Sequence, residues 1–458
     1  MVKGQITVVL SLVIAVIMSL FVTMLEGVRV SAIWGKSNVV AQVGMESIFG
    51  EFHRELLDQY ELFYIDTSYL GDAGGIENTI SNLEEFTQMN IEKTKDKWYL
   101  PRRNFLKLNI EGISPISYHI ASDYRGKTIK QQAISSYISK YGITYVADCI
   151  NNLNIIESEG LNSRDIRQEQ EELKNEAYEI VEDNYVADDS NEQSVDKDNF
   201  IPEEYVITII DLVSRNRGRI KNLSYETIDL QQSTYYRNLA NGVYGGETTV
   251  KTQHDSLIDE MIFNAYLFDK CSYYTRELSK SKMKYQIEYI LKGHSKDKDN
   301  LNSVLTSILG IREVSNYIQI QNDGARVSVA KTISTAISAL VVLPELEPII
   351  TQIILMGWSH KDSLDDIETL VSGGSVPLIS KGGKGLKYKD YLMVFMLMKY
   401  GDKKTCRFMD IVESDIRKTT AINNFKLDNC VDYLSVDFSF KSDYGYSTNF
   451  QKRKEYYE

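Results

Sequence analysis

The sequence predicts an α+β protein in which an N-terminal transmembrane helix continues into a long amphipathic helix, followed by a helix-rich ectodomain with a small antiparallel sheet. Three observations carry this prediction. Residues 6–25 form an uncharged apolar run. Apolar residues then recur at three- and four-residue steps in many segments, and a few short stretches alternate strictly between apolar and polar residues.

The apolar run ITVVLSLVIAVIMSLFVTML contains no charge, proline or glycine, and thirteen of its twenty residues are Val, Ile, Leu or Phe. As a helix it is about 30 Å long, which is the thickness of a bilayer's hydrocarbon core. We therefore expect membrane lipid to be a partner. The side chains expected to form the anchor are Ile6, Val9, Leu10, Leu12, Val13, Ile14, Val16, Ile17, Leu20, Phe21, Val22 and Leu25.

Only five residues precede the run, and Lys3 is the one positive side chain among them. So short a tail favours a single pass of the cell membrane, with the N-terminus cytoplasmic and the C-terminal region extracytoplasmic. The alternative is a cleaved secretory signal, because Val30-Ser31-Ala32 offers small residues at a suitable cleavage spacing. A run of twenty residues exceeds the usual apolar region of a signal peptide, which favours the anchor.

A basic residue and a glycine stand directly before the run, in the string Lys3-Gly4-Gln5. This string resembles the leader junction of type IV prepilins and of the TadE and TadG proteins of tight-adherence pili. The resemblance implies cleavage by a prepilin peptidase after Gly4. Val9 stands where type IV pilins usually carry glutamate, so the filament-docking role of that glutamate is not carried over.

The predicted anchor comprises residues 1–26. The region that follows it, residues 27–153, is predicted to be a pilin-like α+β region. Helical spacing indicates that one helix continues the anchor and that two more follow, while alternation indicates two half-buried strands joined by a turn at Gly112. These elements are helices over 31–60, 76–89 and 129–138 and strands over 106–111 and 116–120.

Residues 154–204 are predicted to be an acidic linker or inserted loop. Between Glu157 and Glu204 stand seventeen acidic and four basic residues, a balance of −13 that equals the net charge of the whole chain. Apolar periodicity is missing except in a charged helix predicted near residues 164–181. A specific cation-binding or partner-binding role is the alternative interpretation.

Residues 205–458 are predicted to form a helix-rich α+β C-terminal region. Alternation predicts strands over 283–289 and 434–440. A second apolar stretch is interrupted by two prolines and two glutamates at residues 344–348, so we expect two buried helices and a turn there instead of a second membrane span. The predicted helices cover residues 301–316, 325–343, 349–370, 388–400 and 403–418.

Composition excludes several classes of function. The net charge of −13 argues against nucleic acid as a partner, because binding phosphates requires clustered Lys and Arg. The cysteines form no C-x-x-C pair, which argues against zinc-knuckle and thioredoxin-like sites. In the simpler interpretation they are isolated buried thiols. In the alternative they form disulfides outside the cell, and the sequence does not determine the pairing. The four are Cys149, Cys271, Cys406 and Cys430.

Local motifs for catalysis or metal binding are incomplete, so we expect no catalytic residue, metal, cofactor or small-molecule substrate. The string from Gly382 to Gly385 lacks the earlier glycine and the following Ser or Thr of a phosphate-binding loop. Asp297 and Asp299 begin like a calcium loop but fit better as acids in the first turn of a helix. A Ser-His-Asp site assembled from distant segments stays an alternative.

Two further charged groups are candidate sites with a simpler structural interpretation. His360 stands near Asp362, Asp365 and Asp366, which suits either a cation site or a solvated helix face. Arg312 and the adjacent Glu313 lie in an otherwise apolar helix, which predicts a buried ion pair of structural character. We favour the solvated helix face for the first group and the structural ion pair for the second.

Five strings resemble an uncharacterised family of Gram-positive membrane-anchored proteins, a domain of unknown function whose genes tend to accompany tight-adherence pilus loci. They are KGQITVVLSLVIAVIMSLFVTMLEGVRV and GEFHRELLDQYELFYID at the start, KYQIEYILKGHSKDKDNLNSVLTSILGIREVSN in the middle, and DIETLVSGGSVPLISK and RFMDIVESDI near the end. The resemblance implies a pilus-linked or cell-envelope role and supplies no active site.

The sequence thus favours a non-enzymatic, membrane-anchored, pilin-like or pilus-accessory surface protein whose partners are pilus or envelope assembly proteins. In that hypothesis Ser11, Ser19 and Thr23 hydrogen-bond across neighbouring apolar helices. One alternative is a membrane-anchored extracellular hydrolase with a site assembled from distant segments. Another is a structural envelope protein unrelated to pili.

Overall fold

The computed structural model describes residues 2–69, 71, 73–91, 106–141, 154, 156–188, 223–243, 257–378, 385–399, 401–420 and 422–456. The chain divides into two compact units, each of which is assembled from separate stretches of sequence. The first unit comprises Met1–Lys140, Gln231–Ser256 and Phe408–Glu458, and the second comprises Tyr141–Leu230 and Leu257–Arg407. This division differs from the sequence-based boundaries because the C-terminal strands pair with a strand of the N-terminal region.

Helix α1 (Val2–Phe49) opens the first unit and runs without a break through the apolar run and the amphipathic segment behind it. The prediction that it extends to residue 60 is wrong. The chain leaves the helix at Gly50 because Phe52 bridges Ile65 and the amide of His53 donates to the carbonyl of Tyr64. A separate short helix, α2 (Arg54–Tyr60), begins there, with the ring of His53 accepting from the amide of Leu56.

The first unit also contains two helices that the sequence predicted and part of a third. Helix α3 confirms the second amphipathic helix, and α4 contains the predicted segment 129–138. Tyr124, Arg125 and Gly126 near the start of α4 have positive φ angles and are not helical. The bounds are α3 (Ile76–Ile91), α4 (Asp123–Tyr141) and, from residue 408 onward, α12 (Asp402–Thr420).

An antiparallel sheet lies against α1 and α3. Its central strand β5 pairs with β2 along one edge and with β1 and β6 along the other. The predicted strand over 434–440 is confirmed as part of β5. The strands are β1 (Ile65–Asp66), β2 (Leu108–Ile120), β5 (Cys430–Ser442) and β6 (Ser447–Glu455).

Residues 108–120 form one strand and not the two strands and turn that alternation suggested. The register of β2 against β5 shifts between Ile110 and Gly112 and again between Pro115 and Ser117. These shifts are bulges, which accommodate a glycine or a proline inside a strand. Because β5 is as long as β2, the partner strand keeps the chain extended through Gly112 instead of letting it turn.

The core of the first unit lies between the sheet and helices α1 and α3. Apolar side chains of β5 alternate toward the helices, as expected for a sheet with one covered face. The buried members are Ile33, Val40, Ala41, Met45, Ile48, Phe49, Ile65, Ile76, Leu83, Ile91, Leu108, Ile120, Val431, Leu434, Val436, Phe438 and Phe440.

The second unit is mostly helical. Its predicted helices in the C-terminal half are confirmed to within a few residues, and the break at residues 344–348 falls between two of them. Its helices are α5 (Ile166–Asp188), α6 (Leu257–Lys270), α7 (Gln286–Lys292), α8 (Asp297–Gln321), α9 (Gly324–Leu340), α10 (Leu346–Val371) and α11 (Tyr388–Met398). A two-stranded ladder joins β3 (Ser375–Pro377) to β4 (Gly385–Lys387).

Two predictions in this unit need correction. The second half of the strand predicted over 283–289 belongs instead to helix α7. Gln286 and Glu288, the polar members of the alternation, are buried and hydrogen-bonded and do not face water as they would on a half-buried strand. The charged helix predicted near residues 164–181 of the acidic stretch is confirmed as α5, but this part of the stretch is not a solvated linker. Helix α5 packs against α10 and buries Ile166, Ala177 and Val181.

Candidate functional site

Helix α1 has two halves in opposite environments. Every residue from 6 to 25 is exposed. From Ile33 onward a stripe at helical spacing is buried against the sheet and α3, including Val40, Met45 and Ile48. Among the residues that the structure describes, α1 is the one helix long and apolar enough to span a membrane. One continuous helix therefore provides both the exposed apolar surface of residues 6–25 and part of the core of the first unit.

The twelve predicted anchor residues all lie on the exposed half of α1. Their exposure runs from 46% at Val13 to 68% at Leu20. The hydroxyls of Ser11 and Thr23 donate to the carbonyls of Val8 and Ser19 in the same helix, at 2.9 Å and 2.8 Å. Lys3, Gly4 and Gln5 belong to the first turns of α1, and their side chains lie outside the described part of the chain.

Polar contacts fasten the second half of α1 to strand β6 and the residue after it. The ammonium of Lys452 donates to Oδ1 of Asn38 at 2.7 Å, and the hydroxyl of Tyr456 donates to the carbonyl of Phe49 at 2.7 Å. Lys454 forms an ion pair with Glu46. The hydrogen bond from Lys454 lowers the pKa of Glu46. The last strand thus holds the helix in register with the sheet.

A second group of contacts lies where the apolar run ends. The turn between β5 and β6 brings the Tyr446 hydroxyl to 2.6 Å from Oε1 of Glu26, and Nη1 of Arg29 lies 2.6 Å from Oε2 of the same carboxylate. The guanidinium of Arg29 lies over the ring of Tyr444, 4.3 Å from its centroid. Sequence reasoning missed Tyr444 and Tyr446, although two tyrosines flanking Gly445 in a polar turn were a visible signal.

The second unit contains a buried carboxylic acid with no sequence signal. Oε1 of Glu288 accepts from the hydroxyl of Tyr388 at 2.7 Å and from the amide of Tyr274 at 2.9 Å. Burial raises the pKa of Glu288 to about 7, and the two donors oppose that rise. The carboxyl of Glu288 is fully enclosed and ties α7 to α11.

Arg312 and Glu313 are buried, as predicted, but they do not pair with each other. Adjacent residues on a helix point in different directions. Arg312 bonds Asp366 and the carbonyls of Pro377 and Leu378. Glu313 accepts from Arg167 at 2.9 Å and lies 2.6 Å from Nδ1 of His360.

The candidate cation site around His360 is not assembled. The imidazole of His360 faces Glu313, while Asp362 pairs with Arg326 at 2.5 Å and Asp366 pairs with Arg312. In the described part of the chain no cluster of three or more His, Cys, Asp or Glu side chains has the geometry to hold a metal ion.

The remaining sequence candidates have structural explanations or lie outside the described residues. Asp297 and Asp299 occupy the first turn of α8, as predicted. Asp297 accepts from Ser224 and from two backbone amides, and burial raises its pKa. Cys271, Cys406 and Cys430 are buried. Cys149 and residues 382–384 fall outside the described ranges.

Comparison with known proteins gives one match. The model of a family of unknown function, DUF5702, matches residues 190–384 and 380–442, together more than half of the 458-residue chain. The matched residues include most of the second unit and strand β5 and do not include α1. No curated protein and no solved structure matches the chain. The chain therefore belongs to the DUF5702 family, a family of unknown function.

Proposed function

We propose that this protein is a non-enzymatic, membrane-anchored surface protein of pilin-like or pilus-accessory type. The observation that supports it best is the continuity of α1, whose exposed apolar half passes without a break into a half that is buried on an antiparallel sheet. In this proposal residues 6–25 cross the cell membrane, the N-terminus is cytoplasmic, and both units lie outside.

The exposed half of α1 suits side-by-side packing with other apolar helices in lipid. Helix association there depends on close packing and on hydrogen bonds between helices, not on the hydrophobic effect. Ser11, Ser19 and Thr23 are among the polar groups available for such contacts. The hydroxyls of Ser11 and Thr23 donate to carbonyls of α1 itself, so these bonds can be exchanged for bonds to a neighbouring helix. A pilus or envelope assembly protein with a similar helix would be the partner.

The prepilin-like junction makes this proposal testable by mass. Intact mass of the protein extracted from native membranes would be lower by Met1 to Gly4 if a prepilin peptidase acts on it. An unprocessed chain that is digested by protease added to intact cells would support an anchored accessory protein without pilin processing. Loss of all residues through Ala32 would contradict the anchor.

A matched pair of variants separates processing from folding. Gly4→Val changes the residue before the expected cut and leaves the sheet-packed half of α1 untouched, so it should abolish the mass change. Val2→Ala is the control on the far side of Gly4 and should be processed as the unaltered chain is. Equal processing of both variants would contradict cleavage by a peptidase that recognises this glycine.

A further inference from the structure

We propose that the β5–β6 turn, together with Arg29 and Lys107, forms a lipid-headgroup collar that binds the phosphates of the leaflet in which α1 is anchored. This inference rests on the proposed anchoring of residues 6–25. The collar is defined as Arg29, Lys107, Tyr444 and Tyr446. Its occupant is the headgroup layer of the same bilayer.

The position of the collar follows from its contacts with α1. The apolar run ends at Leu25, and the hydroxyl of Tyr446 donates to Glu26, the first residue after it. Arg29 lies four residues beyond Leu25, about 6 Å farther along the helix axis. The headgroup region adds about 5 to 7 Å to each side of the hydrocarbon core. The turn is therefore held at headgroup depth whenever the run spans the core.

The side chains of the collar suit that layer. Tyr side chains are enriched at membrane interfaces because the ring is apolar and the hydroxyl is polar. The Tyr444 ring is partly exposed and has two cations on it, with Arg29 4.3 Å and Lys107 5.4 Å from its centroid. Two like charges on one ring favour an anion beside them, and Arg binds phosphate oxygens in a bidentate manner.

Nearby acids already have partners. Glu26 accepts from Tyr446 and Arg29. Asp443 accepts from the side chain of Asn109 at 3.0 Å. Glu111 lies 3.9 Å from Lys441. Arg29 uses Nη1 for Glu26 and carries further N–H donors, and Lys107 is the second cation on the Tyr444 ring, so both groups can donate to an incoming phosphate.

The far end of the sheet supplies an internal control. Strand β5 has thirteen residues and is therefore about 40 Å long. Tyr446 lies just beyond one end of it. Tyr236 lies near the other, because its neighbour Arg237 bonds Asp428, two residues before the strand begins. Tyr236 is 72% exposed, so a reporter there is accessible but distant from the membrane.

Fluorescence quenching in vesicles tests the collar. Full-length Tyr444→Trp and Tyr236→Trp proteins are reconstituted into phosphatidylcholine–phosphatidylglycerol vesicles that contain a phospholipid with a nitroxide on its headgroup. After subtraction of the signal of the unsubstituted protein, we expect Trp at 444 to be quenched several-fold more than Trp at 236. Equal quenching would overturn the collar.

Charge removal tests the role of the cations. In the Tyr444→Trp protein, a nitroxide on the headgroup of an anionic phospholipid should quench several-fold more than the same label on phosphatidylcholine, and Arg29→Gln with Lys107→Gln should remove that excess. Lys36→Gln with Arg54→Gln removes the same charge from the same unit, farther from the run, and should leave the quenching unchanged. Equal effects of the two pairs would overturn phosphate binding by the collar.

Flotation of the vesicles separates this inference from the anchor on which it rests. If the protein does not float with the vesicles, the proposed anchoring fails. If it floats and Trp at 444 is not quenched by the headgroup nitroxide, the collar fails and the anchoring stands.

Discussion

Arg237 holds Glu413 through two parallel hydrogen bonds, with Nη2 2.5 Å from Oε1 and Nη1 2.8 Å from Oε2. Only 2% of the Glu413 side chain is exposed. Arg417 and the amide of Leu427 also donate to this carboxylate. The pair fixes the segment around Arg237 to helix α12 inside the first unit. Glu413 raises the pKa of Arg237 against the effect of burial.

We expect Glu413→Ala to lower the unfolding free energy of the first unit by about 3–5 kcal/mol, because it leaves the largely buried Arg237 without its main counter-charge. Thermal or urea unfolding of the detergent-solubilised full chain measures the change. The control is Glu169→Ala, which breaks the exposed Arg164–Glu169 pair and should cost less than about 1 kcal/mol. Similar losses for both variants would contradict the role assigned to burial.

Gly44 marks a close approach of α1 to α3. A Cβ atom at Gly44 would lie 2.6 Å from Oγ1 of Thr87 and 3.3 Å from a methyl carbon of Leu83. Gly44→Ala should therefore destabilise the first unit by about 1–3 kcal/mol, as overpacking does elsewhere. The melting temperature in detergent measures the effect.

Gly35→Ala on the same helix is the matched control. Nothing lies within 4 Å of a Cβ atom at this position, so alanine should stabilise the helix by up to about 1 kcal/mol. A lower melting temperature for Gly35→Ala than for Gly44→Ala would contradict the packing described for α1 and α3.

Glu288 makes the second unit sensitive to pH. Burial raises its pKa from 4.5 to about 7, so the folded protein holds this proton to a higher pH than the unfolded chain. The unfolding free energy should therefore fall as pH rises from 4.5 toward 7, by about 3 kcal/mol in all, and stay lower above pH 7. Urea unfolding at a series of pH values measures this slope.

Glu288→Gln should flatten that slope, because glutamine is neutral and its oxygen can still accept from Tyr388 and Tyr274. A smaller fall should remain, since burial also raises the pKa of Asp297. Glu159→Gln changes an exposed acid and should keep the unaltered slope. An unchanged slope in Glu288→Gln would contradict the assignment.

The exposed half of α1 should be what retains the protein in membranes. Val13→Arg with Ile17→Arg places two charges at the centre of the apolar run, at about 2.5–3.5 kcal/mol each, and should shift the protein from the membrane to the supernatant fraction. Val39→Arg with Val43→Arg has the same spacing on an exposed face of the second half and should not. Retention of the first variant would contradict the anchor.

Sequence reasoning predicted most helices well because helical spacing is a local pattern. Helices α3, α8, α9, α10 and α11 all begin within four residues of their predicted starts. It failed for a helix whose residues are buried on every side. In α7 the residues Gln286 to Leu291 are buried on all sides, so no solvent-facing side existed to mark the helical period.

For the same reason, sequence reasoning found only one half of the candidate site. The apolar run that forms the exposed half of α1 is contiguous in sequence, so its length and hydropathy could be read directly. The contacts of Tyr446 with Glu26 and of Arg237 with Glu413 join residues far apart in the chain. No spacing rule within one segment reports such pairs.

The sequence by itself determined that the chain begins with a helix long and apolar enough to cross a bilayer and that the rest is a helix-rich α+β protein, because hydropathy and periodicity belong to each segment alone. Only the tertiary structure decided that Leu108 pairs with Ser442, that residues 108–120 stay extended as one strand, and that α1 ends at Phe49. Those outcomes depend on which distant segment supplies the partner hydrogen bonds and the opposing apolar face, and a strand's own residues do not specify that partner.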